Sequence, residues 1–482
     1  MMRAIRGGQL ARLLGGWRPS GGRRNAPDYV ALADTLRGLV NDGRLALDVR
    51  LPAERELADT LQVSRTTVTS AYNLLRSSGH LDSRRGAGSW TRLPGGARVG
   101  QSGWWAPATA PDLIDLATAA MAAPQAMAEA AGDAVAALPR YLCGAGYHPT
   151  GLPELRAAVA DGYSARGVPT TPEQIMVTNG VQHALDLTLR LLAPPGSAIL
   201  TESPTYPNAL AAFAARRGRV HTYGVADGWD TELLVGAVRQ VGARVAYLIP
   251  EFQNPTGHLM ADETRAKLPA VAHAAGTDLI IDESFVDLAL DGATMPPPVA
   301  SYDRHARVVS IGGMSKPYWG GLRIGWIRAA ESIVQRLAAV RVGVDMSGPV
   351  LDQLVAVELL ARAAKVVPGR RAELREQRDA LAGAVRRELP DWRFDVPPGG
   401  VTLWAELDGP MSSALSRAAE AFGVRLAPGP RFGVDGTLER FVRLPFTLAP
   451  TVLEEAVSRI AAAYSDVSVG ARRAWEAPTL VA

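Results

Sequence analysis

Lysine is rare in this chain of 482 residues, which contains only Lys267, Lys316 and Lys365. Arginine supplies almost all of the positive charge, so any chemistry that needs a lysine amine has three candidates. Lys267 and Lys365 lie in segments that have the composition of solvated helices. Lys316 differs, because it follows the strand-like run VVSIGG in the segment GGMSKPYWGGLRIGW. A lysine at the carboxyl end of a buried strand can lose its hydration, which lowers its pKa and frees the amine for Schiff-base chemistry.

Polar side chains follow other strand-like runs and are expected at the same edge of a sheet, where open parallel sheets bind ligands. Asp282 ends DLIID, and its carboxylate suits a protonated pyridine nitrogen. Asn254, in QNPTG, follows RVAYLIP, and its amide suits a phenolate oxygen. Arg323 and the helix start at NGVQHAL suit a phosphate, and Tyr206 suits stacking on a flat ring. Taken singly, each motif is more typical of a helix cap, a turn or a loop than of a cofactor site.

The order of these motifs is more specific than any one of them. TNG, PTY, NPTG, DE, SK, GLRIG and VRLPF follow one another within residues 112–466. This order resembles that of fold type I pyridoxal-phosphate (PLP) enzymes, the aspartate aminotransferase superfamily. The resemblance implies that Lys316 forms the internal aldimine with PLP, that Asp282 pairs with the pyridine nitrogen and that Asn254 bonds the ring oxygen.

The resemblance also assigns the rest of the predicted site. Tyr206 would stack on the ring, Arg443 would bind the α-carboxylate of a substrate or effector, and Tyr147 would reach the phosphate of the partner subunit. The cofactor phosphate would be held by Ser315, Arg323 and the backbone of Gly180, Val181 and Gln182. No metal site is predicted.

Three positions depart from the pattern of this superfamily. Gly313 stands where a serine or threonine often binds the phosphate. Ser284 and Phe285 stand where a tyrosine usually bonds the ring oxygen. Because that bond controls the pKa of the bound cofactor, the departures bear on turnover more than on cofactor binding.

The runs QIMVT, SAILT, RVAYLIP, DLIIDE, RVVSIGG and RIGWI alternate with helical stretches. This alternation predicts an α/β domain with a mainly parallel, doubly wound sheet over about 112–345. Longer helices and the strands around VTLWAEL and FVRLPF predict a smaller α+β subdomain over about 346–466. Residues 467–482 are expected to form a loosely held tail. The Gly- and Pro-rich residues 93–111 are the expected linker.

Residues 1–92 carry 15 Arg, no Lys and 8 Asp or Glu, whereas the remainder is mildly acidic. This asymmetry favours a polyanion partner for the front segment, although a solvated Arg-rich surface has the same composition. Residues 1–27 are expected to be a flexible basic arm. The pattern of residues 28–92 predicts helices followed by a hairpin. Ser64 is the expected cap of one helix, whose buried stripe contains Val68, Ala71, Tyr72 and Leu75.

The segment LPAERELADTLQVSRTTVTSAYNLLRSSGHLDSRRGAG resembles the GntR-type winged helix-turn-helix. A helix with a polar, basic face fits the major groove, and an Arg-Gly wing fits the DNA backbone. The resemblance implies contacts with double-stranded DNA by the helix residues and the wing. These are Arg55, Arg65, Thr66, Thr67, Arg84, Arg85 and Gly86.

Together the two resemblances identify the chain as similar to the MocR/GabR family of bacterial regulators. That family implies a domain-swapped homodimer, PLP, an operator and an effector that is an amino compound or PLP itself. The alternative is a working aminotransferase whose DNA-binding domain is secondary. One cysteine excludes intrachain disulfides, and the absence of an 18-residue apolar run excludes a membrane span, so a cytoplasmic protein is expected.

Overall fold

The computed structural model describes residues 3–15, 17, 27–42, 44–84, 88–93, 112–292, 294–434 and 436–476. The predicted wing residues Arg85 and Gly86 lie outside this description, as do residues 94–111 of the predicted linker. Within the described part, every helix is too short or too polar to cross a membrane.

The amino-terminal head is a winged helix-turn-helix, as predicted. Its helices are α1 Gly7–Leu14, α2 Asp28–Asn41, α3 Glu54–Leu61 and α4 Arg65–Ser77. Its strands are β1 Arg3–Ala4, β2 Val49–Arg50, β3 Leu81–Arg84 and β4 Gly88–Thr91, in the sheet order β1-β2-β4-β3. The predicted stripe of α4 is buried, and the Ser64 hydroxyl accepts the Thr67 N–H at 3.0 Å as the helix cap. The hydroxyl of Tyr72 donates to the carbonyl of Pro52 at 3.0 Å, which ties α4 to the start of α3.

The expectation of a flexible arm over residues 1–27 was wrong for residues 3–15. β1 pairs in parallel with β2, and α1 packs on the head with Leu10 and Leu14 fully buried. Leu10 and Leu14 are four residues apart, so they share one face of a helix. Burial of two leucines contributes about 3–6 kcal/mol toward ordering this Gly- and Arg-rich stretch.

The large part is the predicted α/β domain. Its strands are β5 Ile114–Asp115, β6 Ile175–Thr178, β7 Ala198–Ser203, β8 Arg219–Gly224, β9 Val245–Leu248, β10 Asp278–Asp282, β11 Val308–Gly313 and β12 Gly325–Arg328. Its helices are α5 Ala126–Ala137, α6 Pro153–Ala165, α7 Val181–Leu192, α8 Pro207–Ala215, α9 Thr231–Val241, α10 Asp262–Ala275, α11 Glu331–Val342 and α12 Val350–Ala361.

Seven of these strands form one sheet in the order β6-β12-β11-β10-β9-β7-β8. β12 is antiparallel to both of its neighbours, and the other pairings are parallel. Both faces of the sheet are covered, because Ile280 lies in one hydrophobic core while its neighbours Leu279 and Ile281 lie in a second core. Burial on both faces explains the continuous apolar runs in the sequence.

The smaller α+β part also forms as predicted. It contains α13 Ala363–Glu388, β13 Thr402–Glu406, α14 Ser412–Ala421, β14 Val424–Arg425, β15 Ala427–Pro428, β16 Phe441–Pro445 and α15 Pro450–Glu476. β13, β16 and β15 make an antiparallel sheet, and β14 pairs with β5. Residues 467–476 of the predicted tail continue α15, and residues 477–482 lie outside the description.

Candidate functional site

A cavity of about 690 Å³ lies at the carboxyl ends of the central strands. It is lined by nine of the eleven residues predicted at the catalytic, cofactor-ring, phosphate and carboxylate positions, the exceptions being Gly180 and Tyr147. These nine are Lys316, Asp282, Asn254, Tyr206, Arg323, Ser315, Val181, Gln182 and Arg443. They come from seven separate stretches of the chain, which the parallel strands place at one edge of the sheet.

Lys316 is the lysine of this cavity. Its Nζ donates to the carbonyl oxygen of Ala119 at 2.6 Å and lies 5.7 Å from the centre of the Phe285 ring. Burial lowers the pKa of Lys316 to about 8, and the positive charge of Arg443 acts in the same direction, while Asp282 partly opposes it. The amine is therefore partly neutral near physiological pH, as a nucleophile requires.

Asp282 ends β10 and is almost fully buried. Its Oδ2 accepts the hydroxyl of Tyr247 at 2.6 Å, and its Oδ1 accepts both the N–H and the hydroxyl of Ser284 at 3.0 and 2.5 Å. Burial raises the pKa of Asp282, and these hydrogen bonds counteract the rise because they stabilise the carboxylate. Ser284 thus binds the carboxylate of Asp282, although it stands at the position where the superfamily usually has a tyrosine that bonds the ring oxygen.

The phosphate end is built around the first turn of α7. Gly180 caps this helix with φ of 85°, and a Cβ placed on it would lie 2.6 Å from Nη2 of Arg323. Arg323 donates to the carbonyl of Asn179 at 2.8 Å, so its guanidinium lies against the backbone that begins the helix. The helix start and this guanidinium together favour an anion. Gly313 lines the cavity near Ser315, and it offers no hydroxyl there.

Two further polar groups face the region where a ring would lie. Oδ1 of Asn254 is buried and has no hydrogen-bond partner among the described residues. Tyr206 is held by Asn208, whose Nδ2 donates to the tyrosine hydroxyl at 2.8 Å. An unpaired buried amide oxygen costs free energy, so a bound hydrogen-bond donor is a natural partner for this oxygen, whereas the Nδ2 hydrogens of the same amide can donate to an acceptor.

Arg443 lies on β16 and is buried at the opposite end of the cavity. Its Nη2 donates to the carbonyl of Ala117, its guanidinium lies 4.9 Å from the centre of the Phe432 ring, and its Nε has no partner among the described residues. Burial lowers the pKa of Arg443 to about 10, so the guanidinium still carries its charge at neutral pH. A buried, incompletely paired arginine is suited to a carboxylate.

Tyr147 lies outside this cavity, and 61% of its surface is exposed. The role given to it by the resemblance requires a second subunit. It stays a prediction.

In the head, the predicted DNA-binding helix presents its first turn to solvent. Arg65 and Thr66 are exposed at the start of α4, and Arg55 is exposed on α3. Thr67 is engaged with the helix cap, because its hydroxyl lies 2.8 Å from that of Ser64. The backbone of Arg84 ends β3 beside Gly88, so it stands at the tip of the hairpin. These DNA contacts stay predictions.

Comparison with known proteins agrees with both halves of the structure. The family model for aminotransferase class I and II matches residues 112–460, and the model for bacterial regulatory proteins of the gntR family matches residues 28–90. The chain belongs to the aminotransferase class I and II family and has the MocR-type domain arrangement. It is 28% identical over 425 residues to the uncharacterized HTH-type transcriptional regulator YisV of Bacillus subtilis, covering 80% of this chain and 85% of that protein.

A second regulator and an aminotransferase structure are also similar to this MocR-type chain. The probable rhizopine catabolism regulatory protein MocR of Rhizobium meliloti is 28% identical over 442 residues, covering 84% of this chain and 87% of that protein. LysN, the alpha-aminoadipate aminotransferase of Thermus thermophilus, aligns with a TM-score of 0.68 and 29% identity, covering 74% of this chain and 94% of that chain. The LysN structure is complexed with N-(5'-phosphopyridoxyl)-L-leucine.

The residues of the MocR-type cavity fit PLP. The cavity has the volume of a cofactor site, and the Gly180–Arg323 approach leaves no room for a side chain beside the phosphate end. Lys316 and Asp282 supply the amine and the carboxylate that an aldehyde and a pyridine nitrogen require.

Sequence reasoning missed three residues of this site. Tyr247 supports Asp282, Phe432 packs on Arg443, and Ala119 accepts the Lys316 hydrogen bond. A tyrosine inside the otherwise aliphatic strand VAYL was a usable signal for Tyr247, because a buried hydroxyl needs a partner. The other two contacts join distant parts of the chain, and no local pattern indicates them.

Proposed function

We propose that this protein is a transcriptional regulator that binds PLP at Lys316 and double-stranded DNA through its head. PLP, or an amino compound that reacts with it, changes the affinity for the operator. One observation carries the proposal: a single chain presents an exposed recognition helix and a cavity that joins an amine of lowered pKa to a buried carboxylate and a buried arginine. The predicted cytoplasmic location belongs to the same proposal.

When bound, PLP supplies an electron sink that reacts reversibly with amines. Different residues of the chain would hold different parts of PLP. Lys316 offers the amine that bonds to the cofactor, and Asp282 keeps a negative charge at the pyridine end because Tyr247 and Ser284 donate to it. Arg323 and the start of α7 hold the phosphate, and Asn254 bonds the ring oxygen. Arg443 selects amines that carry a carboxylate, since a buried guanidinium left without an anion is unfavourable.

A homodimer forms part of the same proposal. Several large apolar side chains are exposed on the large part, and α5, which carries Val135, packs on α12, which carries Leu351. Leu142 and Tyr147, which follow α5, are also more than half exposed. An apolar surface of this kind favours a second copy of the chain, which would bring Tyr147 to the partner's cavity.

Selection of genomic fragments by the purified protein tests the regulatory function. The selection is made at near-physiological salt, with and without PLP, and is repeated with Lys316→Ala. We expect one site to be enriched by the wild type and its enrichment to depend on PLP, whereas the Lys316→Ala variant should respond to PLP weakly or not at all. A failure to enrich any site under either condition would contradict the proposed function.

The second candidate function is transamination. The observation that favours it is the convergence of Lys316, Asp282 and Arg443 in one cavity, which is the minimum set for that reaction. Sustained formation of a keto acid from an amino donor, over many turnovers per subunit, would support an enzyme. A single stoichiometric change of the cofactor absorbance without product would support a sensor.

A further inference from the structure

The head and the large part meet at a surface formed by two segments of each. On the head these are α1 and the described residues 41, 42 and 44–49. On the large part they are residues 222–241, which include the end of β8 and α9, and Leu438 in the segment of residues 429–434 and 436–440 before β16. Apolar side chains of both sides, Leu13 of α1 and Leu233 of α9 among them, line one cavity of about 100 Å³ between the two parts.

The two sides of this surface carry opposite charges. Nη2 of Arg12 lies 3.1 Å from Oε2 of Glu232, and its Nε lies 3.8 Å from Oδ2 of Asp230. Arg44 forms an ion pair with Asp227. The basic residues belong to the head and the acidic residues to the large part, so the charge asymmetry of the sequence is used within the molecule as well as toward DNA.

Two backbone contacts make the fit close. The N–H of Leu438 donates to the carbonyl of Asn41 at 2.7 Å. A Cβ placed on Gly224, at the end of β8, would lie 2.8 Å from the carbonyl oxygen of Arg44 and 2.9 Å from its Cα. The head therefore approaches β8 at a distance that only glycine permits at that position.

Helix α1 lies outside residues 28–90, the range matched by the gntR-family model. Leu10 and Leu14 of this helix are buried in the head, and Arg12 reaches the large part. The helix is thus an added element that binds the head on one side and α9 on the other. Arg65 and Thr66 stay exposed in this arrangement, so docking leaves the recognition helix accessible to DNA.

Both docking segments of the large part are also linked to residues that line the cofactor cavity, one through hydrogen bonds and the other through packing. Trp229, just before α9, donates from Nε1 to Glu202 at 3.1 Å. Glu202 accepts Nε2 of Gln253 at 3.1 Å, and Gln253 precedes Asn254 in the chain. On the other segment, Phe432 packs on the guanidinium of Arg443 and lies in one apolar cluster with Leu438, whose N–H binds the head.

We propose that α1 and residues 41, 42 and 44–49 dock the DNA-binding head on residues 222–241 and on the segment around Leu438, and that ligands at Asn254 and Arg443 control operator affinity by changing this docking. The inference rests on the proposed function, because it uses the same cofactor cavity and the same DNA-binding helix. A ligand that binds the docked and undocked arrangements with different affinity shifts their ratio, and the ratio in turn changes the affinity for the ligand.

Cross-linking tests the docking surface first. Arg12→Cys and Glu232→Cys are combined in a Cys143→Ser background, since Cys143 is the single native cysteine and is exposed. A short bismaleimide should join the two introduced thiols in high yield, and Arg37→Cys with Glu232→Cys is the control, because Arg37 pairs with Asp34 of its own helix. A product within one chain, or one between two chains that exchange heads, supports the surface. A yield no higher than that of the control overturns it.

Operator affinity tests the control by ligands. The probe is PLP, and the DNA is the fragment selected by the wild type. We expect PLP to change the affinity of the wild type by about tenfold, within the usual range of allosteric coupling. Gly224→Val should reduce this change to less than about twofold, because it removes the close approach of Arg44. Gly162→Ala, at a position with open space around it, is the control and should keep the full response.

Charge exchange separates loss of docking from loss of folding. Arg12→Glu with Arg44→Glu should also abolish the response to PLP, and addition of Glu232→Arg and Asp227→Arg should restore it in part. Cofactor absorbance and the melting temperature report whether each variant is folded and loaded. A full response to PLP in Gly224→Val and in the double charge variant overturns the inference but leaves the proposed function standing. The absence of any response in the wild type overturns both.

Discussion

The hydroxyl of Tyr247 lies 2.6 Å from Oδ2 of Asp282 and donates a hydrogen bond to it. Tyr247 is on β9 and Asp282 on the adjacent β10, where Tyr247 is in register with Ile280, two residues before Asp282. The two side chains are therefore diagonal neighbours on one face of a parallel pair. This hydrogen bond stabilises the charged form of a buried carboxylate, against the rise in pKa that burial causes.

Tyr247→Phe removes that hydrogen bond and leaves one carboxylate oxygen of Asp282 without a buried donor. Hydrogen bonds to charged groups contribute about 1.5–3 kcal/mol, so we expect PLP to bind about tenfold to a hundredfold more weakly. Titration of the apoprotein with PLP, followed by absorbance, measures this change. Tyr302→Phe is the matched control, because Tyr302 donates to Asp262 at 2.5 Å on an exposed surface. Equal affinities in the wild type and the Tyr247→Phe variant would contradict the role of this pair.

The lowered pKa of Lys316 predicts the pH dependence of cofactor attachment. Bond formation to an aldehyde needs the neutral amine. Since burial and Arg443 lower the pKa of Lys316 from 10.5 to about 8, the rate should rise with pH through about 8 and level off above it. Stopped-flow absorbance after mixing apoprotein with PLP over pH 6–10, as a working range of roughly two units on each side of that pKa, records the profile.

Lys316→Ala gives the control for this profile. The variant should bind PLP without a covalent bond, so borohydride should trap no cofactor on it. Lys267→Ala should behave as the wild type, because Lys267 is exposed and pairs with Glu263. Trapping of cofactor on the Lys316→Ala variant would show that another amine is the attachment site.

Arg443→Met tests the selection of a carboxylate. Methionine retains apolar packing against Phe432 and removes the guanidinium. We expect L-alanine to perturb the cofactor absorbance with an affinity reduced about tenfold to a hundredfold, the range for a charge-assisted contact. Ethylamine, which lacks the carboxylate, should act equally on the variant and the wild type. A parallel loss for both compounds would show that Arg443 supports the cavity and does not recognise the carboxylate.

Arg65→Ala tests the DNA-binding helix. Arg65 is exposed at the first turn of α4, where it can reach a phosphate or a base. We expect weaker binding to the selected fragment, and if Arg65 contacts a phosphate, the slope of log affinity against log salt should fall by about 1. Fluorescence anisotropy at several salt concentrations measures both. Arg37→Ala is the control, and an unchanged affinity for the Arg65→Ala variant would contradict the assignment of α4.

Much of the site was predictable because its residues follow strands. Lys316, Asp282 and Asn254 come after apolar runs, and parallel strands bring their carboxyl ends to one edge whatever the details of packing. The cap at Ser64 and the stripe of α4 were predictable for the same kind of reason, since a local pattern of spacing and residue type defines both. In each case the deciding interaction lies within a few residues of the chain or follows from a general rule of topology.

The remaining features depend on contacts between distant segments. Ala117 and Arg443 are 326 residues apart, and only the pairing of β13 with β16 and the path of the chain beside β5 bring them together. From the sequence, Leu10 and Leu14 belong to a basic arm, and only the folded head provides the hydrophobic core in which they are buried. The ion pair of Arg12 with Glu232 likewise depends on the packing of distant segments of the chain. Periodicity and motif order in the sequence thus determined the two domains and the residues that line the cavity. Tertiary packing decided which residues each of them contacts, because the free energy of a contact depends on both of the residues that make it.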